Sequence, residues 1–186
     1  MAETHKAQMA GLAKELAGAG RRRRQEVAHK LALAAKANPD LVMPHLDTLL
    51  EALGRPEAQT RWEVLDALSE LVAKDPDAVS AAFDGAEESL FDESSANVRL
   101  SAFVFLCRLA ATSPERSDQA WPLLDEAIQC FHGDAEYRDM LAALLEMVKG
   151  DVSQHTKEAL AARVKFDAKS GTGYIKSYSA EIVAAV

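Results

Sequence analysis

Four times in this chain an arginine opens an apolar run, and fifteen positions later the run is cut. Arg24 leads to Pro39, Arg61 to Pro76 and Arg99 to Pro114; Arg138 leads to Ser153, where a serine stands in the proline's place. The arginines lie 37, 38 and 39 residues apart. Self-similarity at this period marks a stacked-repeat architecture, in which each unit buries its apolar face only against its neighbours. That constrains the fold strongly and the function weakly, because stacked repeats are surfaces for holding partners.

Apolar spacing of 3.6 residues, interrupted by breakers, predicts nine helices at about 3–17, 21–37, 40–53, 58–74, 77–91, 96–111, 116–131, 135–149 and 152–167. Asn38-Pro39 and Asp75-Pro76 stop helices because the residue before proline disfavours the helical region. The segment 96–111 carries Val98, Leu100, Phe103, Val104, Phe105, Leu106 and Leu109 around most of its circumference, and is expected at the centre of the stack. Segment 152–167 is more polar, with Val152, Leu160 and Val164 on one side, as suits an end repeat. Connections are short, so successive helices are antiparallel neighbours. The expectation is one all-α repeat domain over 1–170, about four helix pairs, with 1–20 as an N-terminal capping helix. Residues 171–186 form a tail with Tyr174, Tyr178, Ile182 and Val186 at helical spacing. It is either a cap over the last repeat or a segment that orders on a partner.

The 186 residues are 48% hydrophobic and only 6% aromatic, which is ordinary for soluble, helix-rich material. No apolar run approaches the roughly 18–20 residues of a membrane span. Met1 to Ala10 lacks a signal-peptide core, so a cytoplasmic location is expected. Cys107 and Cys130 sit within apolar helical patterns and read as buried free thiols. The net charge of −8 is uneven: residues 1–37 carry +5 and residues 38–186 carry −13. An acidic body disfavours nucleic acid, whose phosphates need a basic surface.

Read as helix pairs, the chain gives 40–53 with 57–74, 76–91 with 95–111, and 115–132 with 134–149. Pro44 and Pro122 stand early in the first helix of two pairs, and Arg61, Arg99 and Arg138 head the second helices after acidic turns. This pattern resembles the HEAT repeat over roughly residues 21–167, best through Asn97-Val98-Arg99-Leu100-Ser101-Ala102. The resemblance implies a right-handed α-α superhelix. It also implies a ladder in which Arg61, Arg99 and Arg138 bridge to Glu57, to Asp92 or Glu93, and to Asp134. Alternatively the three arginines line the concave surface and grip an acidic ligand.

Three further features are candidates for partner binding. Arg21, Arg22, Arg23 and Arg24 place four cations at a helix N-terminus, against the helix dipole; they could recruit an acidic partner, nucleic acid, an anionic surface or a second copy. Between Lys74 and Arg99 there are seven acids and no base, and Asp84, Glu87 and Glu88 among them share one helix face. Trp62 and Asp66 resemble the Trp-x-x-x-Asp element of HEAT-like alkylpurine DNA glycosylases. That resemblance would make Asp66 the carboxylate that stabilises the sugar cation and Trp62 its stacking partner. The five histidines include no pair at metal-ligand spacing, so no metal and no cofactor is expected. The leading expectation is a non-catalytic scaffold that binds a protein partner, with self-association open. Glycosylase activity and a tether through Arg21–Arg24 are the alternatives.

Overall fold

The corner where one repeat hands over to the next has a simple chemistry. Asn38, Asp75, Ser113 and Ser153 each turn a side-chain oxygen back onto the chain, accepting from the amides of Asp40 (3.2 Å), Ala78 (2.9 Å), Arg116 (3.3 Å) and Thr156 (3.0 Å). These are N-caps, and three of them precede a proline in the first helical turn, where its missing N–H leaves nothing unsatisfied. The recurring element at Ser153 is therefore the cap. The proline is an accessory.

The structure, a computed structural model, describes residues 2–186; Met1, at the start of the expected capping helix, lies outside the described residues. The α-helices are α1 (Ala2–Gly18), α2 (Arg21–Ala37), α3 (Leu46–Leu53), α4 (Ala58–Leu71), α5 (Pro76–Val79), α6 (Phe83–Leu90), α7 (Ala96–Ala110), α8 (Pro114–Cys130), α9 (Tyr137–Val148), α10 (Gln154–Ser170) and α11 (Gly173–Ala185). Among the described residues there is no strand.

Two expected helices are broken. Residues 40–53 begin as 3-10 turns, Pro39–Leu41 and Met43–His45, because Pro44 has no N–H to offer the carbonyl of Asp40. Residues 77–91 divide into α5, a 3-10 turn at Ser80–Ala82, and α6. Here the Ser80 hydroxyl donates to the carbonyl of Asp77 at 2.6 Å, competing with the helical ladder.

The chain divides into two compact units, the first ending at Phe105 and the second running from Leu106 to Val186. In the first, α2 packs along α4, α1 against α2 and α3, and α3 against α4 and α6. Leu16, Val27, Leu31, Val64, Leu65, Leu68, Leu71 and Leu90 are fully buried between them. In the second, α8 lies beside α10, while α11 packs on both α9 and α10 and buries Ile182. The tail is thus a helix folded onto the last repeat. Within α7, Val98, Phe103, Phe105, Leu106 and Leu109 are buried and Arg108 is exposed.

One glycine marks a close approach. A Cβ at Gly150 would stand 2.6 Å from the carbonyl oxygen of Ala111 and 2.8 Å from its Cβ, and the Asp151 amide donates to that same oxygen at 2.9 Å. Gly150→Ala must push the two segments apart and is expected to lower stability by about 1–3 kcal/mol. Gly11→Ala, in the interior of α1 with nothing within 4 Å of its added methyl, should instead raise stability by roughly 0.5–1 kcal/mol. Chemical denaturation of the two variants beside the parent checks both signs.

Candidate protein-binding surfaces

Glu57 sits in the turn before α4 with its side chain 4% exposed. A carboxylate so placed must be paired, and it is gripped by both Nε (3.3 Å) and Nη2 of Arg24. Arg24 also donates from Nη1 to the carbonyl of Ala19 at 2.8 Å. The next rung repeats the logic: Arg61 Nη2 donates to Asp92 at 2.6 Å, in the turn before α7. Arg99 then donates to the Asp92 backbone carbonyl at 2.9 Å.

This corrects the ladder that the resemblance implied. Arg61 does not take Glu57; Arg24 and Arg61 each reach the turn acid one repeat further on, so Arg24 belongs to the series, while Arg99 keeps to its own turn through the Asp92 carbonyl. The reason is the direction of the side chain: an arginine in the first turn of the second helix projects toward the adjacent second helix, so its reach is sideways across the stack. Arg138 is exposed and makes no ion pair among the described residues, and Asp134 is exposed beside it.

Electrostatics agree with the geometry. The Arg24 guanidinium holds the Glu57 carboxyl below its ordinary range against the opposing effect of burial. Burial alone would raise Asp92, but hydrogen bonds from Ser94 and Arg61 outweigh it and hold this carboxyl low as well.

The four-arginine run is divided by these contacts. Arg24 is tied into the ladder, and Arg23 is bonded to Glu15 and, at 3.3 Å, to Glu26. Arg22 is 95% exposed and 3.5 Å from Glu26. Arg21 is exposed, and its field helps to lower Glu57. Two of the four cations thus face outward.

Asp84, Glu87 and Glu88 are all exposed along one face of α6, and none is hydrogen-bonded or ion-paired among the described residues. Of the other acids of that stretch, Asp75 caps α5 and Asp92 serves Arg61 and Ser94, while Glu93 is exposed in the turn before α7. Trp62 is half-buried and Asp66 exposed, one turn apart on α4. No group of three His, Cys, Asp or Glu side chains converges as a metal site among the described residues. Cys107 is buried, and burial pushes its thiol well up. Cys130, expected inside, is exposed, because the last position of α8 turns away from buried Ala127 and Ile128.

Sequence reading missed three further links, all between neighbouring repeats. His29 pairs with the nearly buried Glu63 at 2.9 Å, and His132 with Asp167 at 2.8 Å. Arg163 makes a fork to both carboxylate oxygens of Asp125, at 2.6 and 2.8 Å. A usable signal existed: opposite partners lie 34 to 38 residues apart, close to one repeat period.

No family model matches this sequence, and no curated protein matches it. Solved structures do. A designed armadillo repeat protein in complex with the peptide (KR)4 aligns with a TM-score of 0.76 at 14% identity, over 94% of this chain and 80% of that one. The fold is a helical-repeat superhelix. Computationally designed armadillo repeat proteins for modular peptide recognition align at a TM-score of 0.71 and 15% identity, over 95% and 81% of the two chains. A third design of this kind aligns at 0.65 and 13%, over 95% and 99%. These neighbours are armadillo designs, so they support helical repeats in general and not the HEAT class in particular. Among the described residues, no helix is long and apolar enough to cross a membrane.

The ladder gives a direct prediction. Glu57→Gln keeps the shape of the contact but leaves the half-buried Arg24 charge uncompensated, and should cost on the order of 2 kcal/mol at neutral pH. Because the folded carboxyl lies below its ordinary value of 4.5, its contribution is complete above that value and is lost as pH falls through the lower, folded one. The parent should therefore lose stability more steeply with acid than the variant, as read by urea melts across acidic pH.

Proposed function

We propose that this chain is a non-catalytic scaffold that holds a basic segment of a protein partner on the acidic face of its first unit. The observation that carries the reading is the exposed, unpartnered set Asp84, Glu87 and Glu88 on α6. It stands in a unit where Arg24, Arg61, Glu57, Asp92 and Glu63 are held in contacts between repeats. Charges engaged in holding the stack together are not available to a ligand; these three are. The designed neighbour in complex with (KR)4 supports the choice of a basic ligand for a fold of this kind.

Pro44, Pro122 and the arginine ladder support the HEAT class as our reading of the subclass. Free Cys107 and Cys130 suit a reducing compartment, and we place the protein in the cytoplasm.

Fluorescence anisotropy with a labelled (KR)4 peptide tests the proposal. The parent should bind, and binding should weaken as salt screens the contact. Changing Asp84, Glu87 and Glu88 together to Lys should cost about tenfold or more in affinity. All three side chains are exposed, so the fold should survive, as circular dichroism would verify. Unchanged binding in this variant, or no binding by the parent at low salt, would sink the reading.

A further inference from the structure

Single exposed apolar side chains are ordinary on protein surfaces, and Leu33 on α2 is one of them. Phe166 is different. It is 73% exposed and lies on a face of α10 that continues through Ala159, Ala162, Arg163 and Lys169. These positions follow helical spacing, i, i+3, i+4, i+7 and i+10, and they point away from buried Leu160 and Val164. Helix α10 thus has a second face, mainly apolar, turned toward solvent.

Beside that face is a cleft of about 330 Å3 lined by Trp121, Asp125, Ala159, Ala162 and Arg163. Trp121, one of the lining residues, is itself 9% exposed. The lone acid of the rim, Asp125, is neutralised by the fork from Arg163. Lys165 and Lys169 stand exposed on the same helix and make no ion pair among the described residues. From 157 to 176 the chain holds five cations (Lys157, Arg163, Lys165, Lys169, Lys176) against two acids, Glu158 and Asp167. On a chain of net charge −8 this is a local reversal of sign.

We propose that the α8–α10 face docks an acidic amphipathic helix of a protein partner. An apolar side chain of that helix packs on Phe166 and the alanines of the same face, and its carboxylates meet Lys165 and Lys169. The alanines at 159 and 162 let a helix backbone come close, and the cations determine the sign of what approaches. This surface differs from the α6 face in position and in charge, so the two proposals stand or fall separately.

The probe is a labelled synthetic amphipathic helix of leucine and glutamate, with its leucine–lysine counterpart as control, followed by anisotropy. The glutamate helix should bind. Phe166→Asp, and separately Lys165→Glu with Lys169→Glu, should each weaken it by about tenfold or more. Reversal of Asp84, Glu87 and Glu88 should not weaken it, which separates this face from the one on α6. Binding of the lysine helix that Phe166→Asp weakens to the same degree, or parental affinity of the glutamate helix for either α10 variant, would overturn the proposal. Sedimentation of the protein alone supplies the remaining arm: a concentration-dependent dimer abolished by Phe166→Asp would assign the face to a second copy and overturn it too.

Discussion

A carboxylate withdrawn from water at a turn must find a cation or lose its charge, and the first unit is organised around meeting that demand from outside the repeat. Glu57 has little solvent of its own, and the guanidinium that answers it comes from a helix 33 residues earlier in the chain. Asp92 is answered in the same way from α4. Apolar burial supplies most of the stability of such a stack, but it is tolerant of small slides between helices. A two-pronged contact to a nearly buried carboxylate is not. The ladder therefore fixes the register in which the apolar faces of α2 and α4 meet.

The periodic core was open to reading because its physics is local. Helix spacing, breakers and caps act within a few residues, and Val64, Leu65, Leu68 and Leu71 are buried as their spacing implies. The breaks in 40–53 and 77–91 were harder, since each depends on one competing hydrogen-bond effect, at Pro44 and at Ser80. The ladder was misassigned by one repeat because a pairing rule carried along the chain ignores where an arginine points. Phe166 escaped notice because it lies off the stripe formed by Val152, Leu160 and Val164; an aromatic displaced from the stripe of its helix was the clue.

Charge in this chain has two fates. Some groups are withdrawn from water and paired across neighbouring repeats, as with Arg24 and Glu57 or Arg61 and Asp92. Others remain fully hydrated, negative on α6 and positive on α10. The first kind resists salt and the second is screened by it. A stack divided in this way keeps its shape over conditions that change what its surfaces attract.

The ladder also bears on how interchangeable the repeats are. Arg24 is met by a glutamate and Arg61 by an aspartate one methylene shorter, each donor lying in the repeat before its acceptor. No repeat in this series is electrostatically complete by itself, and each acceptor is cut to the reach of one particular donor. Transposing or duplicating an internal repeat would leave a charged group facing a side chain of the wrong length. The order of the modules is thus written into their charged side chains, and lengthening such an array by copying a single unit would require re-matching both ends of every new junction.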